Sequence, residues 1–291
     1  MGGINGGGIA DGVGGAPETG RYYGATHVVF GRPAGLPSVI DVRSLNGTNG
    51  FSLVSRDLMG SVYSGSAVDR AGDVNGDGMD DLIIGSRLKG SYVVFGRTGG
   101  FPAEVVLDDL DGTDGFQITG RLDSDVAGVG DLNGDGVDDF AIGNRNVPLF
   151  GDDLTGSVFV VYGTGDGFPA RLDLQTLDGT NGFRIDGVER GEGIGHAISS
   201  AGDINDDGSP DLLIGKFNQL TGDSEIGAYV LYGRAPACRA DLDGDGSLTI
   251  FDFLEFQNLF DAGDPIADFD GDGRLTLFDF LAYQNAFDAG C

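Results

Sequence analysis

The sequence SAVDRAGDVNGDGMDDLIIG at residues 66–85 occurs in two further versions, VAGVGDLNGDGVDDFAIG at 126–143 and ISSAGDINDDGSPDLLIG at 198–215. Each version reaches a short apolar run through a loop of Asp, Asn and Gly. These three residue types favour tight turns, and short apolar runs bounded by turns are typical of buried strands. Recurrence at a long period indicates a repeat architecture built from one supersecondary unit.

Each repeat continues into two more predicted strands. One is an apolar run that ends in Gly, and the other follows a Gly-Thr-Asx-Gly-Phe turn. The apolar runs lie at 27–31, 92–96, 158–163 and 229–233, and the turns end at Phe51, Phe116 and Phe183. Four short strands per repeat are typical of a propeller blade, with a β-sandwich as the alternative. The first copy lacks strand one and the last lacks strand four, so the sequence predicts about three and a half four-stranded blades.

These segments resemble FG-GAP repeats, the blades of integrin-alpha-type β-propellers. The resemblance covers residues 1–234 and implies a mainly β fold, a partial β-propeller, with a role in adhesion. Because propellers typically close with four to eight blades, an incomplete arc has three explanations: a truncated chain, two end fragments that pair in one blade, or two chains that complete a ring. The start, MGGINGGGIADGVGG, lacks the regions of a signal peptide, so we expect that Met1 is an internal start.

Oxygen-bearing residues alternate along the three Asp-rich loops. Alternation in a tight loop turns every second side chain toward one centre, which gives the hard oxygen cage that Ca²⁺ prefers. A metal-free acidic hairpin is the alternative, but its carboxylates would repel one another. GINGGGIAD at 3–11 has Gly3 and Gly7 in place of Asp, so we expect weak Ca²⁺ binding there, or none. The predicted ligands are Asp73, Asn75, Asp77, the carbonyl of Met79 and Asp81; Asp131, Asn133, Asp135, the carbonyl of Val137 and Asp139; and Asp203, Asn205, Asp207, Ser209 and Asp211.

A second duplication occupies residues 241–264 and 268–291. Each copy has the spacing of the twelve-residue EF-hand loop, with Asp at the last position, followed by an apolar segment of helical period. Together with the three earlier loops, these two loops predict about five Ca²⁺ sites. The predicted ligands are Asp241, Asp243, Asp245, the carbonyl of Ser247, Thr249 and Asp252; and Asp268, Asp270, Asp272, the carbonyl of Arg274, Thr276 and Asp279.

Two loop–helix units without entering helices resemble a dockerin module, of the Cys-bracketed kind found in secreted bacterial proteins. The match covers residues 238–291, and we place the domain at 235–291. The resemblance implies a cohesin-like or envelope anchor as partner, although the residues at the partner-binding positions depart from familiar cohesin-binding pairs. About half of the Phe residues in these helices are expected to be core. The partner-binding positions hold Ile250, Phe251, Gln257, Asn258, Leu277, Phe278, Gln284 and Asn285.

Two cysteines, Cys238 and Cys291, flank the tail. Their positions at the two ends of one unit suggest a disulfide, with two free thiols as the alternative. A disulfide implies an oxidising compartment. Extracellular Ca²⁺ modules also have affinities that cytosolic Ca²⁺ is too low to satisfy. Both points favour a location outside the cell.

Composition excludes several classes of partner. Among 291 residues, 46 are Asp or Glu and 17 are Lys or Arg, which gives a net charge of −29. Nucleic acids and anionic membranes require a basic surface, and no apolar run approaches the roughly 18 residues of a membrane span. Motifs of hydrolases, P-loop proteins and zinc proteases are absent from the sequence. The weak catalytic candidates are His27, His196, Asp186, Glu189 and Glu192.

The sequence therefore predicts a secreted or surface-attached bacterial protein that binds Ca²⁺ and has no catalytic activity. Its propeller loops would contact a protein or glycan ligand, and its dockerin would dock on a scaffold or surface. The alternative is an enzyme or accessory subunit of an extracellular polysaccharide-degrading complex.

Overall fold

The structure is a computed structural model that describes residues 3–19, 23–56, 63–87, 90–120, 124–144, 155–217, 227–234, 240–243, 247–269 and 273–289. The described chain is mainly β, with four sheets and two α-helices. It divides into two compact units. The first contains Met1–Asn205 and Pro210–Gly233, and the second contains Asp206–Ser209 and Arg234–Cys291.

The four sheets of the first unit follow the repeats, as the sequence predicts for a partial propeller. The first sheet contains β1 (Gly12–Ala16), β2 (Ala25–Val29), β3 (Gly50–Val54) and β7 (Glu104–Val106). The second contains β4 (Ala67–Gly72), β5 (Asp81–Gly85), β6 (Ser91–Val94), β8 (Gly115–Thr119) and β12 (Arg171–Asp173). The third contains β9 (Ser124–Gly130), β10 (Asp139–Asn144), β11 (Ser157–Val161) and β13 (Gly182–Asp186), and the fourth contains β14 (Ile194–Gly202), β15 (Asp211–Lys216) and β16 (Gly227–Leu231).

The end sheets confirm the missing strands within the described residues. The first sheet begins with the equivalent of strand two, and the fourth ends with strand three at β16. The first and the fourth sheets each contain a strand two and a strand three, and the two sheets are separate. The two ends therefore do not merge into one four-stranded blade in the described structure.

The strands β7 and β12 were not predicted. Each belongs by sequence to the segment between strands three and four of its own repeat, which we call the connector. Each nevertheless pairs in parallel with strand four of the preceding sheet, with Leu53 opposite Val105 and Ile118 opposite Leu172. Three residues are too few to show a strand period, so these strands depend on long-range pairing. Each of these connectors then forms a short 3₁₀ turn, Leu107–Asp109 or Leu174–Thr176.

Connector side chains complete the core between adjacent sheets. Phe101 of the second connector stacks on Phe51 of β3 with ring centroids 4.1 Å apart. Phe168 of the third connector stacks on Phe116 of β8 at 4.4 Å. Leu107 and the ring of Phe116 are buried. Offset aromatic pairs add to the free energy gained by burying apolar area, so each connector fastens its repeat to the preceding sheet.

A glycine is required before each strand four. Gly182 has φ of 136°, and a Cβ there would lie 2.3 Å from the carbonyl oxygen of Val160. Gly50 and Gly115 have the same conformation and the same obstruction. Only glycine tolerates both the positive φ and the close approach of strand three, which explains the recurrent Gly-Phe step.

The second unit contains two helices, α1 (Ile250–Ala262) and α2 (Leu277–Ala289), with a 3₁₀ turn at Pro265–Ala267 between them. Thr249 caps α1, since its hydroxyl accepts a hydrogen bond from the Phe251 amide, and Gly263 ends the helix with φ of 73°. The core of this unit is built on Phe256 and Tyr283, whose rings stack at 4.2 Å. This local arrangement places both Asp-rich loops of the tail directly before a helix.

Candidate metal centres

The first two Asp-rich loops share one hydrogen-bond pattern. The Asp77 amide donates to Asp73 Oδ1 (2.9 Å) and to Asn75 Oδ1 (3.0 Å). The Asp135 amide donates in the same way to Asp131 Oδ1 (3.0 Å) and Asn133 Oδ1 (2.9 Å). The side-chain oxygens of the first and third loop positions therefore converge on one point, as the alternation predicts. Three carboxylates of one such loop are not brought within 4.8 Å of one another in the described structure.

The last Asp of each loop has a different environment. Asp81 is fully buried, and its two oxygens accept hydrogen bonds from the amides of Val74 (3.0 Å) and Gly96 (2.7 Å). Asp139 is equally buried and accepts from Leu132 (2.9 Å) and Gly163 (2.9 Å). Burial raises the pKa of Asp81 to about 8 and that of Asp139 to about 7, against the lowering effect of those amides. A cation nearby would favour the ionised carboxylates.

The third loop is divided between the two units. In the first unit, Asp211 is buried and accepts hydrogen bonds from the amides of Ile204 (2.8 Å) and Gly233 (3.0 Å). In the second unit, the Ser209 amide donates to Asp207 Oδ1 (2.9 Å). Asp211, the last Asp of this loop, therefore accepts hydrogen bonds from the two amides that are equivalent to those bound by Asp81 and Asp139.

The degenerate copy at residues 3–11 keeps one of these contacts. Asp11 Oδ1 accepts a hydrogen bond from the Gly31 amide (2.8 Å), as Asp81 accepts from Gly96. Gly3 and Gly7 supply no side-chain oxygen, and Asn5 Oδ1 accepts from the Gly7 amide (2.7 Å). The last Asp thus persists where the other acidic ligands are missing.

The first loop of the tail brings three carboxylates together. Ligand oxygens of Asp241, Asp243 and Asp252 lie within 4.8 Å of one another, which makes this group unique among the residues described. Asp252 is buried, and its oxygens accept hydrogen bonds from the amides of Leu242 (2.9 Å) and Thr249 (2.8 Å). Hydrogen bonding, from Thr249 above all, lowers the pKa of Asp252. A cluster of three carboxylates is a donor set that fits a hard divalent cation.

The second tail loop is described only in part. Asp268 Oδ2 accepts a hydrogen bond from the Gly273 amide (2.8 Å), and Asp279 Oδ2 accepts from the Thr276 amide (2.6 Å). Thr276 in turn accepts from the Phe278 amide (3.1 Å), as Thr249 does from Phe251. Both Thr residues therefore cap a helix, and their role as Ca²⁺ ligands stays a prediction. The predicted ligands Asp245, Asp270 and Asp272 and the cysteines Cys238 and Cys291 lie outside the described residues.

The two tail helices present matching exposed surfaces. Ile250, Phe251 and Leu254 of α1 are exposed, and so are their counterparts Leu277, Phe278 and Leu281 of α2. Sequence analysis selected the first two residues of each set and missed Leu254 and Leu281, whose helical spacing suggested core positions. The predicted polar positions Gln257, Asn258, Gln284 and Asn285 are exposed as well. Of the aromatic residues, Phe253 and Phe280 pack in the core.

The weak catalytic candidates are engaged in structural contacts. Asp186 accepts hydrogen bonds from Ser157 Oγ (2.7 Å) and from the Arg184 guanidinium. Glu192 Oε2 accepts from the amides of Val188 (2.8 Å) and Glu189 (3.1 Å), and Glu192 Oε1 accepts from the Tyr229 hydroxyl. His27 Nδ1 lies 3.0 Å from Ser52 Oγ, and the His196 ring lies 5.4 Å from that of Phe217.

The chain is similar in sequence to known integrin alpha chains. The chain is 27% identical to integrin alpha-V of Gallus gallus over 250 residues, which is 83% of this chain and 21% of the relative. It is 33% identical to integrin alpha-5 of Xenopus laevis over 65% of this chain and 18% of the relative. The repeats are therefore similar in sequence to integrin alpha chains. Integrin alpha-IIb of Mus musculus is also 33% identical, over 54% of this chain and 15% of the relative.

The matched regions make up a small part of those relatives. The chain spans about a fifth of the length of these curated proteins, or less. No family model matches the chain. Neither of the two described helices has the length and apolar character that crossing a bilayer requires.

Proposed function

We propose that the protein is a secreted or surface-attached, Ca²⁺-binding interaction protein without catalytic activity. Integrin-alpha-type repeats in residues 1–234 would present loops to a protein or glycan ligand. Residues 235–291 would act as a dockerin-type module that anchors the chain to a cohesin-like or envelope partner. The observation that carries the proposal is the clustering of Asp241, Asp243 and Asp252 in the tail.

Calcium is the cation that these donors favour. The loops offer carboxylate, amide, hydroxyl and main-chain oxygens, while cysteine and histidine are absent from the loop sequences. Irregular sets of hard oxygen ligands suit Ca²⁺ better than Mg²⁺, which demands strict octahedral geometry. When bound, the cation would neutralise carboxylates in a chain of net charge −29. The residues that would hold it are those of the three propeller loops and the two tail loops.

The anchoring role is supported by the paired surfaces of α1 and α2. Exposed apolar side chains at matching places on two related helices, such as Phe251 and Phe278, indicate a protein contact. The exposed apolar side chains at these positions favour a partner with an apolar contact surface.

The test is calorimetry on the pure full-length chain. Titration with CaCl₂ at millimolar concentration should release or absorb heat with a stoichiometry near five, and EDTA should lower the temperature of thermal unfolding. The proposal fails if neither Ca²⁺ nor EDTA changes the unfolding curve.

The alternative function is that of an enzyme or accessory subunit of a polysaccharide-degrading complex, which the dockerin resemblance also permits. A glycan array combined with a reducing-sugar assay separates the two functions. Turnover that disappears on changing Glu189, the least engaged of the candidate carboxylates, would favour the enzyme. Glycan binding without release of reducing sugar would favour the interaction protein.

A further inference from the structure

The outer edge of the fourth sheet is apolar and unpaired in the described structure. β16 carries the sequence YVLYG at 229–233, where the second repeat has YVVFG at 92–96. Tyr229 is 47% exposed, whereas the equivalent Tyr92 is completely buried. Tyr232 is 59% exposed, whereas Phe95 is 6% exposed. The same strand is therefore core in one repeat and surface in the other.

The difference arises because, among the described residues, strand three of the fourth sheet has no strand four beside it and strand four of the third sheet has no connector beside it. In the second sheet, β8 pairs antiparallel with β6. The connectors supply the other cover, since β7 and β12 pair with strand four of the preceding sheet. In the described residues, nothing pairs with the outer edges of β13 and β16. After Gly233 the sequence continues into the tail as RAPACRADLDGDG, whereas the second and third repeats continue into a Phe-Pro connector and strand four.

A cavity marks the place of the missing connector. Its volume is about 280 Å³, and it lies between β13 and β16. Ile185, Ile214 and Leu231 line it, together with Tyr229 and the carboxylates of Asp186 and Glu192. In the preceding interfaces, the corresponding space is filled by connector side chains, such as Leu107 beside β3 and Leu174 beside β8. Phe183 of β13, the equivalent of Phe51 and Phe116, has no connector Phe stacked on it among the described contacts.

β16 lacks the features that block strand addition, whereas β13, the other wall of the cavity, carries Arg184. Unpaired edges in natural proteins usually carry charged residues or proline. The outer strands β7, β12 and β13 contain Glu104, Arg171 and Arg184, respectively. β16, GAYVL, has no charged residue and no proline. An uncharged apolar edge beside an open cavity is suited to β-augmentation, in which a strand from another polypeptide completes the sheet.

We propose that β13 and β16 together form an acceptor groove for one extended segment of a partner polypeptide. The segment would have the pattern Phe-Pro, then Leu-x-x-Leu, then Gly-Phe-x-Ile, which residues 168–185 of this chain carry. Its first part pairs in parallel with β13, in the register in which Leu172 lies opposite Ile118. Its last part pairs antiparallel with β16, and its Phe lies opposite Val230, as Phe116 lies opposite Val93.

The probe is a labelled synthetic peptide with the sequence of residues 167–187, added to the full-length chain. We expect saturable binding by fluorescence anisotropy and slower hydrogen exchange of the amides of residues 227–233. The control peptide carries Phe168→Ser, Leu174→Ser and Phe183→Ser, and it should bind at least about tenfold more weakly.

Two protein variants locate the site. Val230→Arg places a charge on the pairing edge and should weaken peptide binding about tenfold or more. Val39→Arg changes a valine that is exposed like Val230 but lies outside the groove, and it should leave binding unchanged. The proposal is overturned if the peptide does not bind, if Val230→Arg binds like the parent chain, or if sedimentation shows that a second copy occupies the edge in a dimer that Val230→Arg dissociates.

Discussion

The amide of Gly96 donates a 2.7 Å hydrogen bond to Asp81 Oδ1, and this bond ties an Asp-rich loop to the end of strand three. The same bond recurs in every repeat, from Gly31 to Asp11, from Gly163 to Asp139 and from Gly233 to Asp211. The first loop has lost acidic residues at Gly3 and Gly7, yet it retains Asp11. The last Asp of each loop therefore has a role in the fold that is separate from any role as a ligand.

Replacing Asp77, the fifth residue of its loop, should lower stability mainly because Ca²⁺ binding is lost. Asp77→Ala removes a predicted Ca²⁺ ligand and the acceptor of the exposed Met79 amide, while the Gly78 amide keeps Asp73 as its acceptor. Binding at a hundredfold excess over Kd stabilises a folded protein by about 2.7 kcal/mol. We therefore expect a lower melting temperature in Ca²⁺ and a much smaller change in EDTA, measured by differential scanning calorimetry. Asp135→Ala is the matched variant in the next repeat. Equal losses in both conditions would contradict a metal role.

Replacing Asp81, the ninth residue of its loop, should instead lower the free energy of unfolding both with and without metal. Asp81→Ala leaves the amides of Val74 and Gly96 without their buried acceptor. Each buried donor that loses its partner costs about 1–3 kcal/mol. Urea unfolding in Ca²⁺ and in EDTA should both show the loss. Comparison with Asp77→Ala provides the control, and a loss confined to Ca²⁺ would mean that the bond to Gly96 contributes nothing to the fold.

The metal-free protein should become less stable as the pH rises. Burial raises the pKa of Asp81 to about 8 and that of Asp139 to about 7, above the ordinary value of 3.8. The folded state then binds more protons than the unfolded state in this range, so stability falls as the pH rises through it. We expect the melting temperature in EDTA to fall between about pH 5 and pH 8.

Calcium should remove that pH dependence, because a cation favours the ionised carboxylates. Melting temperatures measured at the same pH values with millimolar Ca²⁺ should stay level or rise. The double variant Asp81→Asn with Asp139→Asn should flatten the profile in EDTA. A profile in EDTA that rises with pH in the parent chain would show that neither carboxyl has a raised pKa.

Removal of Asp252 should unfold the tail selectively. Its carboxylate belongs to the cluster with Asp241 and Asp243, and it also completes the cap of α1. Loss of a helix cap alone costs about 0.5–2 kcal/mol, and loss of the cation would add to it. Asp252→Ala should lower one calorimetric transition and leave that of residues 1–234 in place. A single merged transition in the parent chain would argue against two domains.

Sequence reasoning located the strands because their signals are local. The Asp-rich loops separate β4 from β5, and the Gly-Phe step at Gly115 marks the start of β8. The pairing of β7 and β12 with the preceding sheet escaped prediction, since Glu104–Val106 has no recognisable period and its partner is distant in sequence. The repeated Phe-Pro at Phe101 and Phe168 was an available signal for it.

The sequence predicted which residues form the Asp-rich loops, but it did not predict how their side chains are arranged. Oxygen spacing identified the loops, but it could not separate Asp81, a buried acceptor for two amides, from Asp77 on the loop surface. Likewise Leu254 and Leu281 follow a helical period that suits core, and only the packing of Phe256 against Tyr283 shows which face of each helix is covered.

The displacement of β7 into the preceding sheet puts the boundaries of the repeats and of the sheets out of phase. A genetic deletion or insertion that cuts between sheets would separate Glu104–Val106 from Ser52–Val54, with which it pairs. Cuts made at the same point of two connectors would remove or add one complete repeat. The pairing of each connector strand with the preceding sheet would then be preserved. Gain or loss of copies during evolution, and any engineered lengthening of this array, should therefore use junctions within the connectors, just before Phe101 or Phe168.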